Sequence, residues 1–375
     1  MKMLKNILKL TAIWMAATVS FTACEVDTTT VMFEEDHDFS QPGDTVFSML
    51  GILDKVQDVV EKGVLLGELR GDLVKPDPFV GTSSAWVDLT RFENLENATF
   101  NRYRDYYAIV NNCNFYLERA DAEMERRGQK VFLKEYAAVS AYRAWAYLQL
   151  ALLYGEVPFY TQPLLSYSEI EQVMNDPSKR KGLGEICSYF IDDLLPYVDV
   201  PFPNYGNFTY DQSSSVNSSD FFLPIRLLRG DLYLWRGSLD GNKSDFAKAA
   251  QEYRDYLLSE KRFVSPDVKV AYRTVDMDGA QIVDRWSSVF LGNNYNESIS
   301  LVPFAGNSQY GKLGSLRQSF RSFMGSDALQ KLVDESYYCY VMYTEESESG
   351  ESEYMSRFTG LAKDTLHYGT KENPQ

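Results

Sequence analysis

The sequence predicts a mostly α-helical chain, its helices packed as antiparallel pairs beside a smaller, irregular α+β region. Three observations carry that prediction. Between Glu135 and Phe159, the residues Ala137, Ala141, Ala144, Leu148 and Ala151 recur at helical spacing, a stripe of small residues that a second helix can approach closely. Two helix-length stretches, 224–237 and 244–258, are joined by a short Gly- and Asn-bearing turn, the sequence form of an αα-hairpin. After Phe263 the periodicity gives way to short alternating or β-branched segments, such as 298–304, among Gly- and Asn-rich loops.

At the start, Lys2, Lys5 and Lys9 precede an apolar run from Leu10 to Phe21, shorter than the roughly 20 residues a membrane-spanning helix needs. Residues 1–23 therefore read as a signal peptide. The run closes on Phe21-Thr22-Ala23-Cys24, which is similar to the lipobox of bacterial lipoproteins, with Phe21 standing where leucine is usual. Cleavage before Cys24 frees a thiol for lipidation, and at about 0.8 kcal/mol per buried methylene two or three acyl chains hold a protein on a membrane. A plain secretory signal followed by an ordinary cysteine is the alternative. Residues 24–43 are rich in Thr, Asp, Glu and Ser with little periodicity, the composition of a tether.

The charge balance excludes one class of partner. The net charge of −16 becomes −19 once the three lysines of residues 1–23 are removed, so nucleic acid is not expected. A hydrophobic fraction of 45% supplies a substantial core for one large domain or two. Cys113, Cys187 and Cys339 follow no metal-ligand spacing and sit in apolar or aromatic contexts. They read as buried free thiols, with one disulfide as the alternative.

In the body, 44–262, Asp44 can cap a helix whose apolar positions Val46, Met49, Leu50, Leu53, Val56 and Val60 follow the 3.6 period, with Gly63 as its expected stop. Pro76, Pro78 and Gly81 mark a long loop within 64–100, and it contains Trp86. Tyr103, Tyr106, Val110, Cys113 and Leu117 line one face of the next helix, the expected partner of the 135–154 helix. There Tyr142, Trp145, Leu152 and Tyr154 surround the small stripe, so this helix is covered nearly all round; Gly155 and Pro158 stop it. A shorter helix over 185–195 carries Ile186, Phe190 and Leu194 inward, and 213–219 reads as a flexible linker. In the second hairpin Ile225, Leu228, Leu232 and Trp235 face Ala247, Ala250, Tyr253 and Leu257, with Trp235 expected in the core and 237–242 as the turn. Hairpins with small residues at the crossing are what a tetratricopeptide-like repeat scaffold needs, since each buries its apolar face only against the next. Residues 263–375 are the mixed region, within which 343–356 is acidic and reads as a solvated stretch.

The central helix also carries a resemblance. Glu135, Ala141, Arg143, Ala144, Tyr147, Leu150, Tyr154, Gly155, Val157 and Pro158 closely resemble the helical signature of the SusD/RagB family, surface nutrient-binding lipoproteins of the Bacteroidetes. Glu68-Leu69-Arg70-Gly71-Asp72 is similar to a run that the family carries after its first helix. The likeness extends from the N-terminus to about Pro303, and family members commonly continue beyond the equivalent of this chain's end, so a short or truncated member is expected. Glu25 and Asp27, just after Cys24, resemble the surface-export signal of Bacteroidetes lipoproteins. The resemblance implies a SusD-like fold, an outer-membrane, outward-facing location and a TonB-dependent transporter as partner, docked by the helical face.

Catalysis has little to stand on, because the only histidines are His37, in the tether, and His367, near the C-terminus. No enzyme activity, cofactor or metal is expected; Asp276-Met277-Asp278-Gly279 resembles part of a calcium loop, but Thr274 and Arg285 stand where ligands are needed. Binding is better supported. Trp86, Trp286, Tyr295 and Tyr310 fall outside the helical stripes, and an aromatic face stacks on a sugar while neighbouring polar groups bond its hydroxyls. The resemblance points to Trp86 and Asp72 as ligand-binding residues; Trp286, Asn293, Asn294 and Tyr295 join them by residue type alone. An oligosaccharide is the expected ligand. A peptide or other non-sugar nutrient is the alternative on the same scaffold, as is a helical-repeat adapter that binds only proteins.

Overall fold

The structure is a computed structural model that describes residues 39, 42–71, 74–77, 84–94, 102–209, 215–259, 299–304, 312–314, 323–325, 343–346 and 352–355. Eight α-helices make up most of the described part, with strands only in short two-stranded ribbons. Helix α1 (Pro42–Leu69) buries Met49, Ile52, Val56 and Val59. It runs straight through Gly63, the expected stop, because Leu65, Leu66 and Leu69 prolong its buried face. A Cβ at Gly63 would lie 3.3 Å from the Tyr106 hydroxyl; the glycine permits a close approach and does not end the helix.

Helices α3 (Tyr103–Arg119) and α4 (Leu133–Tyr154) form the expected hairpin, joined through the ribbon β2 (Glu125–Arg126) and β3 (Gln129–Lys130). All five members of the small stripe on α4 are buried, as are Tyr142 and Tyr147, and α1, α3 and the later helices cover it. The short helix α5 (Tyr167–Asn175) starts on a capping box made by Ser166 and Glu169 and buries none of its residues. Arg143 is the one buried charge on α4. Its guanidinium meets Asp193 at 3.1 Å and Asn114 at 3.3 Å, tying α3 and α4 to α6 (Leu183–Asp193).

The second hairpin is α7 (Ile225–Asp240) with α8 (Lys243–Ser259). Gly237, expected to begin the turn, lies inside α7, where a Cβ would press on Asp245 and Phe246 at 3.1 Å. The stop is Gly241, whose φ of 70° and ψ of 29° suit a left-handed cap. Arg236 grips Asp245 with two bonds of 2.6 and 2.8 Å across the hairpin. Trp235 corrects the sequence expectation: it is 42% exposed. The buried stripe of α7 runs through Leu228, Arg229, Leu232 and Tyr233, which leaves Trp235 at its margin.

The remaining elements lie back on this body. Residues 299–304 form no ladder, but the Leu301 amide donates to Asp220 at 2.8 Å and Gln57 donates to the Pro303 carbonyl at 2.6 Å. Lys312 bridges Asp54 and Asp58 of α1 at 2.6 and 2.8 Å. Within 213–219, expected as a flexible linker, β7 (Ser215–Asn217) pairs antiparallel with β6 (Asn207–Thr209), so this part is ordered. Within the acidic stretch 343–356, β9 (Tyr343–Glu346) and β10 (Ser352–Met355) pair antiparallel. A backbone ladder needs only main-chain donors and acceptors, which composition does not reveal. Cys113 and Cys187 are buried free thiols, and burial pushes both up to about 12. Cys339, the partial calcium loop at 276–279 and both histidines lie outside the described residues.

Candidate ligand-binding site

One end of the bundle gathers aromatic side chains around a loop held unusually firmly. Helix α4 stops where Gly155 takes φ 77° and ψ −127°, a region open essentially to glycine. The chain then forms β4 (Val157–Pro158), which pairs with β5 (Arg180–Lys181). Polar side chains on α3, at helical spacing, hold the loop that runs on from Pro158 to Leu164. The Tyr107 hydroxyl donates to the Pro158 carbonyl at 2.6 Å. Asn111 exchanges two bonds with the Leu164 backbone at 3.0 and 2.8 Å, and Asn114 donates to the Gln162 carbonyl at 3.2 Å. From α4, the Tyr147 hydroxyl donates to the Tyr160 carbonyl at 2.6 Å and accepts from its amide at 2.9 Å.

Between this loop and the start of α3 lies a pocket of about 220 Å³, lined by Tyr103, Tyr107, Tyr154, Glu156, Pro158 and Arg180 among others. Its rings stand nearly at right angles. Tyr103 meets Tyr107 at 89° and 6.0 Å, and Tyr154 at 75° and 6.1 Å, while its own side is half open to solvent. Burial pushes the Tyr154 hydroxyl up to about 12; the negative charge of Asp105 adds to this and Arg70 opposes it. Burial would also raise Asp105, but Lys62 at 2.8 Å and Arg102 at 3.3 Å hold it below the usual carboxylate range.

Trp86 belongs to the same end. It lies on a short helix, α2 (Ser84–Arg91), and not in the open loop expected over 64–100. The ring is half-buried and meets Phe323 edge-on at 6.3 Å and 89°. Phe323 sits on β8 (Phe323–Gly325), which pairs with β1 (Val74–Pro76). Leu65, Leu66, Leu69 and Leu89 complete this cluster, and Leu153 at the end of α4 packs against both it and the main core. Arg70, just past α1, is near enough to act on the hydroxyls of Tyr106 and Tyr154. The other sequence-predicted positions, Cys24, Asp72, Trp286, Asn293, Asn294 and Tyr295, lie outside the described residues. Tyr103, Tyr154, Glu156 and Arg180 line this pocket, and sequence reasoning misses them as candidates: the two tyrosines fit helical faces, where packing accounts for them.

A second cleft of about 360 Å³ lies between the start of α4, the loop at Pro201 and Phe202, and the hairpin α7–α8. Its arginine, Arg226, is already paired with Asp199 at 2.6 Å and Glu252 at 3.3 Å, and Lys134 lines the same cleft. Among the described residues no three His, Cys, Asp or Glu side chains come together as metal ligands, and no helix is long and apolar enough to cross a membrane.

No protein-family model matches the chain, and no curated protein matches it in sequence. Solved structures do match. A SusD superfamily protein from Bacteroides thetaiotaomicron VPI-5482 is 13% identical with a TM-score of 0.51, over 87% of this chain and 68% of that one. A SusD homolog from the same organism is 16% identical with a TM-score of 0.51, over 84% and 69%. A SusD-like carbohydrate binding protein from Bacteroides vulgatus ATCC 8482 is 15% identical with a TM-score of 0.42; the match covers 59% of this chain and only 46% of that protein. The fold is therefore the SusD-like, tetratricopeptide-like helical fold.

Proposed function

We propose that the chain, on this SusD-like fold, is a surface lipoprotein that captures oligosaccharides and passes them to a TonB-dependent outer-membrane transporter. The observation that carries the binding half is the meeting of Tyr103 and Tyr154 with Glu156 and Arg180 in one pocket, with Arg70 near the Tyr154 hydroxyl; Trp86 stands in the neighbouring cluster that Leu153 joins to the end of α4. Flat apolar rings beside groups that donate and accept hydrogen bonds are the chemistry a sugar needs. Asp72, Trp286, Asn293, Asn294 and Tyr295 are assigned to the same site.

In this reading residues 1–23 direct export, Cys24 carries the lipid and the residues from 25 to 38 lift the body off the membrane; the tether expected over 24–43 ends sooner, because Phe39 is buried in the core and α1 begins at Pro42. The partner surface is the exposed apolar margin of the second hairpin, where Leu234, Trp235, Leu239 and Phe246 are 37–57% exposed; such a patch marks an interaction site. The chain performs no chemistry on the ligand and needs no cofactor. Modest affinity suits a protein that hands its ligand on, since release must be fast.

The test is calorimetric titration of the mature chain with plant, host and microbial oligosaccharides, alongside Trp86→Ala. One glycan class should bind, and the substitution should weaken it by about tenfold or more, the equivalent of about 1.4 kcal/mol. The sugar should be recovered uncut. Turnover, or binding of peptides alone, would contradict the reading.

A further inference from the structure

We propose that the tyrosine-lined pocket beside the ribbon β4–β5 holds one acidic sugar ring, a uronic acid, with its carboxylate on Arg180. The inference rests on the glycan reading above and names the ligand class of one part of that site. At about 220 Å³ the pocket is smaller than the roughly 300–1,000 Å³ of sites for drug-sized ligands, so it suits a single ring. Tyr103 offers the exposed face on which such a ring stacks, with Tyr107 and Tyr154 at near right angles behind it.

The charge of the pocket selects the ring. Arg180 donates through one terminal nitrogen to the Glu156 carbonyl at 2.8 Å and pairs with no carboxylate among the described residues. A guanidinium has five donors in a planar fork that matches a carboxylate in two bonds. Four of those donors remain available here, in a chain whose net charge is −16. The arginine of the larger cleft makes the contrast: Arg226 is neutralised by Asp199 and Glu252. Arg70 places a second positive charge near the Tyr154 hydroxyl. The Glu156 carboxylate, exposed on the same rim, accepts from ring hydroxyls and opposes the incoming charge, which keeps binding modest.

The experiment titrates the mature chain with one oligosaccharide in two forms, ending in glucuronic acid or in glucose, and repeats this with Arg180→Gln and Glu156→Gln. Thermal melting checks the fold of each; both side chains are exposed, so both variants should melt with the native chain. The native chain should prefer the acidic form by about tenfold, Arg180→Gln should abolish that preference, and Glu156→Gln should widen it severalfold. Equal binding of both forms, or a preference that survives Arg180→Gln, overturns the inference and leaves the glycan reading standing. If neither form nor any other oligosaccharide binds the folded chain, both fall.

Discussion

Glu135 occupies the first turn of α4 with its side chain half-buried, accepting from the Tyr205 hydroxyl at 3.2 Å. Burial raises its proton affinity above the ordinary carboxylate value, although its backbone and Tyr205 bonds favour the charged form. A carboxyl with a raised folded value contributes stability when protonated and loses it as pH rises through that value. Glu135→Gln should therefore be more stable than the native chain at pH 7.5 in urea unfolding, with the gap closing below about pH 4; an unchanged gap at all pH values would show the residue to be indifferent to its setting. Single residues are also where the sequence is hardest to read. Tyr103 and Tyr154 fit the helical period, so packing explains them, and only their edge-on rings around an open pocket show a second use. Trp86 is legible as an aromatic that no stripe claims, but its half-buried place against Phe323 depends on a strand far along the chain.

The helices themselves are legible because apolar spacing is a local property. Both hairpins and the covered central helix are where the period puts them. The ends are less so: Gly63 and Gly237 look like stops in one dimension, and only the partner helix shows that each makes room for a side chain. The row of Tyr107, Asn111 and Asn114 lies off the apolar face that the spacing picks out, and it holds the loop that shapes the pocket. The Tyr147 hydroxyl joins in by serving both the amide and the carbonyl of Tyr160. Tyr147→Phe keeps the ring and strands that buried amide, a loss of about 1–3 kcal/mol. Chemical denaturation should show a drop of that size. Hydrogen exchange should quicken first at residues 158–164, and uniform loosening of the whole body would contradict the assigned role.

At the scale of the molecule, a helical body closes around α4, and in the proposed reading one end serves recognition and the margin of the second hairpin meets a partner. The fold class is legible in the sequence because small residues at helix crossings can be satisfied in few ways. The candidate site is not, since its pocket is assembled from the start of α3, the end of α4 and the ribbon β4–β5, with the Trp86 cluster beside them, and these parts meet only in the fold. In the proposed reading a glycan binds at this end. Peptide-resolved hydrogen exchange of the chain, with and without the oligosaccharide that binds it most tightly, tests this most directly. Protection is expected over 84–91, 103–107, 154–158 and around Arg180. Protection centred instead on Phe202 and Tyr256 at the larger cleft, or spread along α7 and α8, would contradict it.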